Sequence, residues 1–478
     1  MPQAPTLDHP YLQWFGIDEA TIQRVISEAM NCGADFAELY FQHLRQTSLS
    51  LEDGIVSRAS TGVDQGVGIR AVMGDQVGYA YSESLELGSM LRAAAAAATI
   101  STGSNALPPQ AITVRGVPNY YKLGRDWDSV SVTERLPLLR KAESMVRSME
   151  PAIEKVSIGW GDSDERILVA TSEGTLSADR RPMARLSISL TALKDGKRQS
   201  QGSALSRRVD ISAFSDERMR ELCKEAIDRT MILFDARRPP AGEMPVVLAA
   251  GASGILLHEA IGHGLEADFN RKGTSIYSTL LDQQVAPDFV TVVDDGTQEH
   301  DRGAINVDDE GTSTEKTVLI DKGVLRGYLH DRISAKHYKT KPTGSGRRES
   351  FRHVPMPRMR STYMLGGPHS YDEIIASVEK GIVADTFTNG QVQIGAGDFT
   401  FYVKSGWLIE GGKITAPIRD VNIIGNGPAA LKNVVMAGND SRIDYGHWTC
   451  GKNGQGVPVS TGMPSVLIKS LTVGGVNG

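Results

Sequence analysis

NGQVQIGAGDFTFYVKSGWLIEGGKI, residues 389–414, has the rhythm of strand, turn and strand. Phe399, Phe401 and Val403 fall on alternate residues, the period that lines one face of a half-buried strand. Gly-Ala-Gly (395–397) and Glu-Gly-Gly (410–412) punctuate the run where hairpins turn. The surrounding sequence, from about residue 239 to 478, is rich in short strands and glycine turns. It reads as a largely antiparallel β domain.

Upstream of this half, DARRPPAGEMP (235–245) pairs two prolines with polar neighbours and marks a boundary. The expected division is an N-terminal α/β domain over 1–238 and a C-terminal β-rich domain over 239–478, an α+β chain. In the first half, Asp18 can cap a helix over 19–32 with Ile22, Val25, Ile26, Ala29 and Met30 on one face. Strands are expected over 34–42, 66–73 and 76–82, the last two joined by a hairpin turn at Gly74-Asp75. The run 92–100 reads as a packed helix. A further helix begins near Thr133 with Pro137 in its first turn. Strands then continue to about 197, and a third helix runs from Ser215 to about 233.

Composition restricts what such a chain does. Of 478 residues, 40% are hydrophobic and 23% charged, the balance of a globular protein rather than a disordered one. The net charge of −6 argues against a general nucleic-acid surface. Three cysteines, Cys32, Cys223 and Cys450, make no disulfide framework and point to a reducing compartment. Residues 1–16 lack the basic and apolar regions of a signal peptide, and no run is long enough to span a membrane. The expected location is the cytoplasm.

The chemistry concentrates in HEAIGHGLEADF, residues 258–269. In an HExxH zinc helix the two imidazoles stand at i and i+4, roughly 40° apart around the axis. His258 and His263 are five apart, roughly 140° on a regular helix, so they cannot share an ion there. A π-type turn or break over 260–264 would bring them together, and Gly262 and Gly264 would ease the distortion. Ser253 can cap this helix. Glu259 would then face a metal-bound water as general base. The third ligand is open among Cys450, His447, Glu266 and Asp268. Cys32 and Cys223 read as core residues.

HEAIGHGLEADFNRKGTS, VDDGT, DDEGT, GRRES, PMPRM and CGKNGQ resemble, in order, the motifs of the TldD subunit in the TldD/PmbA (TldE) metalloprotease family. The family carries HExxxH in place of HExxH. The resemblance implies Zn²⁺ held by His258, His263 and Cys450, with Glu259 as catalytic base. It also implies a PmbA/TldE-like partner subunit lacking the motif, and unfolded or leader peptides as substrates. The competing reading is a non-catalytic peptide-binding or topoisomerase-modulating protein. Arg347, Arg348, Arg352, Arg358 and Arg360 form a basic cluster that either binds a substrate carboxylate or an acidic partner, or pairs internally, for instance with Glu349. GTSIYS (273–278) follows the metal helix and lies in line to border the cleft.

Overall fold

The computed structural model describes residues 9–101, 108–446 and 448–474. Strands up to Arg207 belong to one seven-stranded sheet, and strands from Gly242 onward form the remaining sheets. The first sheet is built from very long antiparallel strands, Phe36–Glu52, Ile55–Met73, Ile153–Thr171 and Thr175–Lys194. The Gly74-Asp75 turn joins Met73 to Gln76, with Gly74 at φ +61°. Strands 36–52 and 55–73 extend well past the expected 34–42 and 66–73. The added length is exposed over 54–63, Ile55, Val56 and Val63 included, so no buried stripe betrays the second strand there.

Alternation along these strands assigns the two faces of the sheet. Leu39, Phe41, Ile69 and Leu168 pack beneath helices Glu19–Met30 and Leu87–Ala98. Ile158, Trp160, Leu186 and Ile188 pack on the same side beneath helices Val132–Met149 and Asp216–Met231. Asp18 caps the 19–30 helix by accepting the Thr21 N–H at 2.8 Å. The 132–149 helix begins at a Ser131–Glu134 capping box, which leaves Pro137 inside the helix rather than in its first turn.

The opposite face of the sheet receives the second half of the chain. Tyr40, Ile167 and Val169 meet Val307 and Phe351 there. Beside them lies a fully buried ion network. Arg70 Nη2 donates to Glu38 Oε2 at 2.7 Å and Glu310 Oε1 at 2.6 Å, and Arg348 also donates to Glu38. Burial is affordable because both carboxylates meet a guanidinium.

In the second half, strands Gly242–Leu248, Lys380–Gln393, Asp398–Glu410, Lys413–Asn426 and Val466–Gly474 pair into a closed five-membered ring. All but one of these pairings are antiparallel; 380–393 runs parallel to 242–248. Val246, Leu248, Phe399, Phe401 and Val403 point to the main core. Val247, Val383 and Ile409 point the other way, to a smaller cluster beneath helix Tyr371–Ala376. A second six-stranded sheet, containing Val292–Asp295 and Ser361–Met364, packs alongside.

Candidate metal centre

The segment after Leu248 turns at Ala249–Ser253 and enters a helix over Gly254–Leu257. A π turn follows over His258–Gly262, and a 3₁₀ turn over His263–Leu265. The π turn reduces the advance per residue, so His258 and His263 lie on one side with ring centroids 5.0 Å apart. Ser253 occupies the cap position without capping; its hydroxyl donates to the Ala384 carbonyl at 3.4 Å.

Gly262 has ordinary helical angles, φ −58° and ψ −49°, so backbone freedom is not its purpose. A Cβ there would stand 2.1 Å from Met359 Sδ, and a Cβ on Gly264 would stand 2.6 Å from the Tyr277 ring. Both glycines admit neighbouring side chains at contact distance. The 273–278 run secures the end of the turn: Ser275 Oγ donates to the Gly264 carbonyl at 2.6 Å.

Cys450 reaches the site from strand Thr449–Lys452. Its Sγ is 3.5 Å from His263 Nε2, and one ligand atom from each of His258, His263 and Cys450 lies within 4.8 Å of the others. A tetrahedral Zn²⁺ with Zn–N and Zn–S bonds of about 2.0 and 2.3 Å needs donors roughly 3.3–3.8 Å apart, so this set fits with little movement. All three are buried, and the His258 Nδ1 has no hydrogen-bond partner. Burial pushes the Cys450 thiol up, but His258 and His263 beside it prevail and hold it well below its ordinary value. A ready thiolate with two imidazoles suits zinc better than magnesium or calcium.

The structure separates the other ligand candidates from the triad. Glu266, fully buried, accepts from His263 Nδ1 at 3.0 Å and meets Lys452 Nζ at 3.0 Å. It orients the imidazole from behind, leaving Nε2 for the metal. Asp268 is 2.7 Å from the same ammonium, which also donates to the Pro357 carbonyl. His447 lies outside the described residues. Glu259 is partly exposed, its carboxylate 3.9 Å from His263 Nε2.

Sequence reasoning missed Lys452, and it missed Met359 and Arg358 as supports of the site. Arg358 donates to the Cys450 and Gln455 carbonyls. Three arginines of the basic cluster pair with carboxylates of the chain, though not with Glu349, and Arg347 and Arg358 donate to backbone carbonyls instead. Arg360 holds Asp294 at 2.6 Å, Arg348 holds Glu38, and Arg352 holds Asp64 and Glu83. Arg347 donates to the Met359 and Pro458 carbonyls. Glu349 accepts instead from the Gly456 N–H.

Two imidazoles and a thiol converge in a buried corner of this α+β fold, with a carboxylate at the opening, a donor set that could hold a metal ion. Family models for the PmbA/TldA metallopeptidase match its domain 1 over residues 37–101, its central domain over 125–234 and its C-terminal domain over 241–475. A metalloprotease TldD homolog of Haemophilus influenzae is 40% identical over 93% of both chains. A zinc metalloprotease TldD homolog of Saccharolobus solfataricus is 27% identical over 95% of this chain and 99% of its own. The crystal structure of TldE from Thermococcus kodakarensis superposes with TM-score 0.77 at 19% identity, covering 95% of this chain and 100% of that one, and shares the fold. The chain belongs to the PmbA/TldD metallopeptidase family, as a TldD-type metalloprotease. Among the described residues, no helix is long and apolar enough to cross a membrane.

Proposed function

We propose that the chain is a zinc-dependent peptidase of unfolded or leader peptides, with His258, His263 and Cys450 as ligands and Glu259 as catalytic base. The observation that carries this reading is the convergence of the three donors across a π turn, with a partly exposed Glu259 at the rim. Zinc bound there supplies Lewis acidity and makes water a nucleophile near neutral pH. Glu259 takes the proton from the attacking water on a carboxylate oxygen and returns it to the leaving amine. Glu266, fixed by Lys452, keeps the His263 ring aimed at the ion. A non-catalytic binding protein has no use for a base beside a ligand, so that alternative is not favoured.

The same reading makes the chain a cytoplasmic catalytic subunit that works with a PmbA/TldE-like partner, and divides it into units 1–238 and 239–478. Supporting the partner is the fold shared with the TldE of Thermococcus kodakarensis. The test is one substitution read two ways. Glu259→Ala is expected to retain one zinc per chain and to lose about 10²–10⁴-fold in turnover of an unfolded peptide, with and without the purified paralogue. Undiminished cleavage by Glu259→Ala would refute the assignment.

A further inference from the structure

The alternation that buries Ile158 and Ile188 under helices turns Ser157, Arg185, Ser187 and Ser189 to the sheet's other face. Here the second half does not cover the sheet fully. A cleft of about 770 Å³ remains, walled by these residues on one side and by Ala252, Thr386, Asp444 and Trp448 on the other. Two of those walls adjoin, in sequence, the segments that carry the candidate metal ligands. Ala252 lies in the turn that leads into the His258 helix. Trp448 lies two residues before Cys450, just ahead of the strand that carries it.

Arg185 is the anomaly in this cleft. Every other arginine lining it is paired: Arg229 holds Glu225 at 2.7 Å. The acids are engaged as well, apart from Glu52 at the exposed rim beside the equally exposed Lys155. Asp53 meets Arg147 at 2.6 Å, and Asp444 accepts the Trp448 indole N–H at 2.8 Å. The Arg185 guanidinium makes no hydrogen bond or ion pair with any described residue, and its Nε is buried. Burial alone holds its charge below the usual arginine range. Behind Trp448, Arg302 also lacks a carboxylate partner; it donates to the Trp448 carbonyl at 3.1 Å and to Ser206 Oγ at 2.7 Å. Burial first, then Arg208 and Arg185, bring Arg302 down to about 10. Arg185 is therefore a half-buried cation without a carboxylate partner among the described residues, amid serine hydroxyls. An unpaired half-buried guanidinium is costly unless a ligand completes it, and its fork matches a carboxylate.

We propose that this cleft is a substrate subsite in which Arg185 binds a carboxylate of the peptide, either its C-terminus or an acidic side chain. The inference rests on the peptidase reading above. Binding occurs without chemistry, so it is measured separately from cleavage.

The zinc-loaded full chain carrying Glu259→Gln is titrated with three neutral-core pentapeptides. One has a free C-terminal carboxylate, one is its C-terminal amide, and one is an amide with a single internal Glu. At least one acid-bearing peptide is expected to bind about tenfold more tightly than the plain amide. Which one does so identifies the source of the carboxylate. Adding Arg185→Met should erase the difference without weakening the plain amide or lowering the melting temperature, and Arg185→Lys should restore part of it. Equal affinity for all three peptides, or discrimination that survives Arg185→Met, overturns the subsite. Acid preference in a chain whose Glu259 form, mixed with the purified paralogue, cleaves no unfolded peptide would leave the subsite standing and sink the peptidase reading. Cleavage without acid preference would do the reverse.

Discussion

His330 is buried, its Nδ1 has no partner, and burial pulls its value down to about 4. It adjoins Leu329, whose backbone bonds to Leu265 and Ala267 and so braces the end of the metal-bearing segment. The folded chain resists protonating His330, whereas the unfolded chain accepts a proton near pH 6.5. The stability present above pH 6.5 is therefore lost as pH falls from there through about 4. Denaturant unfolding at pH 7.5 and pH 5, in chelator, should show a loss of about 2 kcal/mol from this residue. His330→Phe keeps the ring and should flatten that part of the slope; identical slopes in both proteins would discard the assignment. Single residues also show where sequence reading stops. His258, Glu259 and His263 stand out by their pattern, whereas the residues alone left the third donor open among four and only the family resemblance singled out Cys450. Glu266 looked like a ligand because a carboxylate near two histidines has that chemistry. Its role behind His263 depends on Lys452, 186 positions away, and no local pattern joins them.

At the scale of the element, the π turn is the decisive device. One residue too many for an i, i+4 pair left only a distorted helix as a way to unite the imidazoles, and that much was legible. The cause assigned to Gly262 was not: packing against Met359, rather than backbone freedom, requires it. Gly262→Ala should push Met359 aside, cost about 1–3 kcal/mol in denaturant unfolding, and weaken zinc retention. Met359→Ala added to it should recover much of the metal binding by vacating that space. If Gly262→Ala alone holds zinc as tightly as the parent, packing at Met359 does not set the turn. Strand reading fared unevenly for a related reason. The 398–410 strand was plain because one of its faces is buried. The stretch 52–63 was invisible because its side chains are exposed and leave no buried period to read.

At the scale of the molecule, the two halves meet through charge as well as apolar surface. Arg70 lies between Glu38 of the first sheet and Glu310 of the second half, all fully buried. Arg70→Met would leave Glu310 without its guanidinium and Glu38 with Arg348 alone. The expected cost is about 3–5 kcal/mol in chemical unfolding; a change below about 1 kcal/mol would mean that the network is not what joins the halves. The five-membered ring bears on the order of events during synthesis. Its last strand, Val466–Gly474, is hydrogen-bonded to 242–248, 413–426 and 434–437 at once. A growing polypeptide thus completes the long-stranded sheet well before its ring can close, and Cys450 emerges nearly as late. Chains stalled on the ribosome with residue 440 just outside the tunnel should resist protease over the first half yet fail to retain zinc. Stalled chains with residue 474 outside should do both, so the candidate metal centre assembles only once the 450–474 segment has emerged.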